Sequence, residues 1–349
     1  MTGQIRWGRI VAFLMLTFGL SWGFHLLVTI TVGQRATDEL ALSPLDMLFP
    51  AAVALFLRLF ILEDSPIHRG RSLGEPRLIL FGFLLLAGLY TVITLLALWT
   101  PGPSALFQAL GQGLMTAWTL LVFHVAGRST REQLERAGLQ LGDTDRGAKL
   151  AVGVVVFMAL QAGLNLLPGL GRFPGFAERV YGIAVPQGLY PIALIIAFGL
   201  AVTGIPLSGL AAVFGEEYGW RGFLQDELAP LGGRRGAMLV GIVWGVWHLP
   251  VILSGVHTYP PTFLGAALGL LFFVLWGFVQ SYAMLWTGSI WAAAFLHGLV
   301  DSLYAFTLRY LAYPESKVLS FGLGVYGLAC LGVVVSLLLR HSIWDESSA

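Results

Sequence analysis

About ten stretches of roughly twenty apolar residues recur along this chain, and that length is what a helix needs to cross the hydrocarbon core of a bilayer. Lipid offers no partner to backbone N–H and C=O groups, so a crossing segment must satisfy them internally, and an unbroken run does so as a helix. Spans are predicted near residues 9–32, 45–62, 78–99, 105–126, 149–167, 189–214, 236–253, 263–286, 289–311 and 318–340. The expected fold is an all-α polytopic transmembrane bundle of about ten spans. Only 11% of residues are charged and mean hydropathy is +0.80, against about 25% charged residues in soluble domains. The net charge of +1 gives no sign of a nucleic-acid partner. Cys330 is the one cysteine, which excludes an intramolecular disulfide and a cysteine-based metal site.

Basic residues in short loops set orientation. Arg6 and Arg9 precede the first span; His68, Arg69, Arg71 and Arg77 follow the second; Arg128, Arg131, Arg136, Arg146 and Lys149 follow the fourth. Arg234 and Arg235 follow the sixth and Arg340 the last, while Arg35, Arg172, Arg179, Arg309 and Lys317 fall on the other side. Both termini are therefore expected in the cytoplasm, with the chain in the cell (inner) membrane. No small-residue cleavage site follows the first apolar run, so an uncleaved span is expected there. Residues 189–228 are too long for one perpendicular helix, and Gly204 and Pro206 are able to break it; two crossings here would invert everything downstream. In the polar connection 127–148, Ser129 or Thr130 is expected to cap a short helix with Glu132 or Gln133 in its first turn.

Ionisable residues inside spans are costly, roughly 2.5–3.5 kcal/mol per charge on insertion scales, and are functional candidates for that reason. After position 200 they are Glu216, Glu217, Arg221, His248, His297 and Asp301. On a helix Glu217 and Arg221 share a face and can pair, whereas Glu216 points about 100° away and is expected to face a cavity. Trp244 lies one turn before His248, and His297 and Asp301 project from one side of their helix. Carboxylates and imidazoles from three helices suit water activation, but the same groups could relay ions or protons through a transporter. The remaining membrane residues His25, His124, Gln108 and Gln112 are expected to serve helix packing.

In order and spacing these motifs resemble the CPBP family of intramembrane proteases, which includes the CAAX prenyl endopeptidases and the bacterial Abi proteins. The family pattern is Glu-Glu-x-x-x-Arg, Phe-x-x-x-His, then His-x-x-x-Asn or Asp. Glu216, Glu217 and Arg221 match the first motif, His248 the second with Trp244 at the Phe position, and His297 with Asp301 the third. The resemblance covers about 189–311, leaving residues 1–188 as helices of unassigned role and 312–349 as a final helix with a short tail. It implies an endopeptidase cutting a membrane peptide or protein substrate in or near the lipid bilayer. In the glutamate version Glu216 and His248 activate water while His297 and Asp301 stabilise the oxyanion, supported by Glu217, Arg221 and Trp244. In the metalloprotease version Glu216, His248 and His297 hold zinc. An inactive immunity or scaffold protein would keep the same motifs.

Overall fold

A computed structural model describes residues 4–32, 44–100, 104–255 and 259–346; Arg35 lies outside them. The main helices are α1 (Trp7–Val32), α2 (Leu45–Phe56), α3 (Arg77–Trp99), α4 (Ser104–Arg128), α5 (Arg131–Ala137), α6 (Thr144–Asn165), α7 (Tyr190–Gly199), α8 (Leu210–Gly219), α9 (Gly233–Trp247), α10 (Phe263–Thr287), α11 (Ile290–Phe306) and α12 (Val325–Leu338). Four two-residue strands complete the described residues: β1 (Gly171–Arg172), β2 (Arg179–Val180), β3 (Ile183–Ala184) and β4 (Tyr313–Pro314). The architecture is a multi-pass membrane bundle.

Seven helical stretches among the described residues are long and apolar enough to cross a membrane: Trp7–Thr31, Arg77–Trp99, Ala105–Arg128, Thr144–Asn165, Gln187–Ser208, Phe263–Thr287 and Ile290–Leu311. The other three expected spans are shorter or interrupted. The second carries Pro50 within α2 and closes in a π turn, Leu57–Ile61. The seventh ends at Trp247 because Pro250 starts a separate turn of helix, Leu249–Leu253. The tenth begins only at Val325, after Gly322 has taken φ 96°.

The long 189–228 segment bends without reversing. α7 continues through a π turn (Leu200–Gly204) and Ile205–Ser208, breaks at Gly209, and resumes as α8. Pro206 follows directly on the π turn, at the second position of Ile205–Ser208. Along α11 the partners run in overall reverse order. Ile290 lies beside Gly222, Trp291 stacks on Phe214 at 4.9 Å, Gly298 meets Pro206, Ser302 Oγ donates to Ala201 O at 2.5 Å, and Phe306 meets Phe198. One antiparallel track therefore spans the whole segment, with the direction kept through Gly209.

Polar contacts also sort the connections into two ends. Arg6 bonds Asp64 at 2.9 Å and Glu227 at 3.0 Å, Arg9 bonds Asp64 at 2.7 Å, Arg58 bonds Asp226, and Arg234 pairs with Asp345. Thr130 caps α5 in a reciprocal box with Gln133, as its spacing suggested, and Arg146 donates to Trp286 O. At the opposite end β1 pairs with β4, and Asn165 exchanges two hydrogen bonds with the backbone of Phe321.

α2 backs the helix that carries the paired acids. A Cβ on Gly215 would lie 2.2 Å from Met47 O and one on Gly219 2.3 Å from Pro50 Cβ, so both glycines permit a backbone approach that alanine would prevent. α9 and α10 are equally close, with Gly277 facing the Gly241 Cα. These two glycine contacts set α8 and α9 at fixed depth around the polar cluster.

Candidate active site

Glu217 is the hub of the buried charge. Its Oε1 accepts from Arg221 Nη1 at 3.1 Å, from His297 Nδ1 at 2.8 Å and from Gln280 Nε2 at 3.3 Å. Glu217 and Arg221 are both wholly buried, so the pair expected from the i, i+4 spacing forms where a lone charge would be most costly. Arg221 lies in a π turn, Trp220–Leu224, directly after α8. Gln280 of α10 also donates to Ala293 O on α11 at 3.1 Å, tying α10 and α11 together at the same carboxylate.

Glu216 turns away from this hub, as the helical rotation requires. Its Oε2 accepts the indole Nε1–H of Trp244 at 2.6 Å. The same indole lies beneath the Arg221 guanidinium, 4.3 Å from carbon to ring centre. It also meets the His297 ring edge-on at 5.5 Å and the His248 ring at 5.8 Å. His248 Nδ1 donates to Trp244 O at 2.9 Å, and its ring stacks on Phe273 at 3.8 Å. His297 Nε2 faces Asp301 Oδ2 at 3.5 Å, an ion-pair separation and too long for a hydrogen bond.

A cavity of about 320 Å³ adjoins this cluster. Its walls include Phe157, Phe272, Phe273, Trp276 and Leu331, and its polar edge is formed by His297, Asp301 and Tyr304. Asp301 keeps 58% of its side chain exposed although it lies on a membrane helix, because it opens into this space. Glu216 is only 2% exposed and does not line the cavity. The expectation that Glu216 faces a cavity is corrected accordingly: Trp244 lines the space and holds the carboxylate from the other side. The cavity runs along α11 from His297 through Tyr304 to Leu308 and reaches Gly322. It thus extends toward the strand-bearing end, not toward the basic loop of Arg234 and Arg235.

No three His, Cys, Asp or Glu side chains among the described residues form a group able to hold a metal ion. The Glu216, His248 and His297 set expected for zinc does not fit, since Glu216 engages an indole N–H and His297 lies between two carboxylates. His25 and Asp46 form a separate buried pair at 2.6 Å between α1 and α2. His25 was expected to serve helix packing and does so here; its partner Asp46, Gln280 and Phe273 escaped the sequence reading because each contact joins residues from different elements and carries no local spacing signal.

Residues 189–303 match the family model described as Type II CAAX prenyl endopeptidase Rce1-like. The matched segment contains every proposed site residue. Glycerol-3-phosphate acyltransferase 4 of Dehalococcoides mccartyi is 29% identical over 140 residues, which are 40% of this chain and 65% of the relative. The chain therefore spans a little under two thirds of that relative's length. No solved structure matches the chain.

Proposed function

From the premise that residues 189–303 carry the Rce1-like CAAX endopeptidase segment, we propose that the chain is an intramembrane endopeptidase using a glutamate-activated water. The observation that carries this reading is the convergence of α8, α9 and α11 on one indole. Glu216, Arg221, His248 and His297 all contact Trp244 at the wall of an apolar cavity.

In this reading a peptide segment enters the apolar cavity with its scissile carbonyl toward His297 and Asp301. Glu216 does not line the cavity, so substrate entry must open a water path past Trp244 to it. Glu216 then accepts a proton from a water that His248 orients, and the hydroxide adds to the carbonyl carbon. The imidazole of His297 donates toward the developing oxyanion while Asp301 holds the ring. Collapse of the tetrahedral adduct breaks the C–N bond, and the leaving nitrogen takes the proton from Glu216. Glu217 acts through Arg221 and His297, keeping both in place without touching substrate.

Orientation follows the same evidence. The connections rich in Arg are joined by ion pairs at one end, which under the positive-inside rule supports a cytoplasmic position for that end and both termini. The relative's name raises acyl transfer to glycerol 3-phosphate as another reaction, but the cavity wall includes no Lys or Arg to receive a phosphate.

The test is cleavage of a quenched-fluorescence transmembrane peptide by protein purified in detergent, with bound metal measured on the same sample. We expect turnover that chelator leaves unchanged. Glu216→Ala and His248→Ala should each abolish it while eluting as folded protein. Retained turnover in either variant, or stoichiometric zinc whose removal stops cleavage, overturns this mechanism. Acylation of glycerol 3-phosphate without peptide cleavage would favour the relative's chemistry.

A further inference from the structure

The position where the family pattern has Phe holds Trp244, and the difference between those side chains is one N–H group. A phenyl ring could fill the same space, carry the Arg221 guanidinium and pack on both imidazoles. It could not donate a hydrogen bond. The indole nitrogen is a donor only, and here that donor reaches Glu216 Oε2 at 2.6 Å, with Trp244 1% and Glu216 2% exposed. It is the one hydrogen bond given to the Glu216 side chain among the described residues. Neighbouring Glu217 receives three. In a low-dielectric site a single charge-assisted bond fixes a side chain more firmly than it would in water.

We propose that Trp244 is a positioning residue for Glu216: its indole N–H occupies Oε2, aims the carboxylate, and leaves Oε1 as the oxygen that takes the proton from water. The role of Oε1 rests on the endopeptidase reading; the clamp itself does not. The geometry makes the two oxygens unequal. Rotation of the carboxylate would move Oε2 off the indole, so the bond selects one orientation. The indole is itself held, because its opposite face carries Arg221, its edge meets Phe273 at 4.9 Å, and its backbone carbonyl accepts from His248. A movement of the ring would therefore disturb the acid, the base-side imidazole and the guanidinium together.

The clamp has a readout that requires no substrate. Ultraviolet resonance Raman spectra contain an indole band sensitive to N–H hydrogen bonding, and the difference between the unchanged protein and Trp244→Phe isolates this band from the other tryptophans. We expect a strongly hydrogen-bonded position that shifts to the free-indole position in Glu216→Ala. With the transmembrane peptide, Trp244→Phe should lower kcat roughly tenfold to hundredfold, the loss equivalent to one hydrogen bond to a charged group, with KM within about twofold. A purely structural ring would give no band shift in Glu216→Ala and no loss of kcat in Trp244→Phe. An indole band unmoved in Glu216→Ala overturns the clamp, and full kcat in Trp244→Phe overturns its positioning role. Should Trp244→Phe fail to fold, the difference between the unchanged protein and Glu216→Ala still decides, since one indole band should move. If the protein cleaves no peptide while the band moves as expected, the endopeptidase reading fails and the clamp stands.

Discussion

Glu217 shows how one carboxylate can make a buried arginine tolerable. Arg221 is wholly buried, and its guanidinium is held between the Glu217 oxygen and the Trp244 ring. Replacing Glu217 by Gln removes the compensating charge and leaves the cation. Breaking one partner of a buried pair costs about 3–5 kcal/mol, so Glu217→Gln should lower the Tm in detergent markedly and should reduce activity as a consequence. Equal melting of both proteins would show that the pair does not hold Arg221. The Glu217–Arg221 contact was legible because four residues separate its members. The bonds from Gln280 and Trp244 were not, since 63 and 28 residues intervene and only tertiary packing closes such distances. By sequence alone Trp244 takes a supporting aromatic role at the Phe position; its N–H acquires meaning only beside Glu216.

At the scale of elements, α2 and α8 approach as closely as their glycines permit. Alanine at Gly215 would drive a methyl group into the Met47 carbonyl and the Leu48 Cα, neither of which can rotate away. Overpacking of this kind costs about 1–3 kcal/mol or more. Gly215→Ala should therefore lower the Tm and shift Glu216, reducing turnover further than the stability loss alone explains. Gly153 on α6 has nothing within 4 Å of its Cβ direction, so Gly153→Ala should leave Tm unchanged or slightly raised. A Gly215→Ala protein as stable as Gly153→Ala would contradict the close approach. The period and length of the apolar runs revealed most of these helices. Whether 189–228 bent or folded back was hidden, because the bend at Gly209 depends on α11 lying antiparallel along the entire track. Nor could apolar length reveal that α2 and α9 stop short, as a proline marks a break without saying how much helix survives.

Across the whole molecule, the end that gathers the N-terminus, residues 62–77, residues 226–235 and Asp345 is held by ion pairs. Asp64 is central to it, and its hydrogen bonds from Arg9 keep its carboxyl below the ordinary carboxylate range. A carboxyl depressed in the folded state stabilises above its unfolded value and loses that contribution as pH falls through its folded value. The docking of α1 should therefore be unaffected near neutrality and weaken only below about pH 4. Because Asp64 is 54% exposed, the effect should be small and should shrink with added salt. Limited proteolysis at the N-terminus from pH 7 to 3 checks this: Asp64→Asn should already show at pH 7 the susceptibility that the unchanged protein gains in acid. Equal cleavage of both at every pH would remove Asp64 from this role. The basic loops were readable as one set from their charge, but their acidic partners Asp64, Asp226 and Glu227 drew no notice because acids count little in an orientation rule.

The contact between α2 and the two glycines of α8 reaches beyond packing. Residues 189–303 are the part that matches the family model, yet the surface on which their acid-bearing helix rests is supplied from outside that segment. Expressed alone, the signature would present Gly215 and Gly219 to fatty-acyl chains that cannot imitate a rigid backbone, and its acids would lose their register. The unassigned front portion of the chain is thus the anvil on which the acid-bearing portion is shaped, and a transplant of that portion would have to carry both.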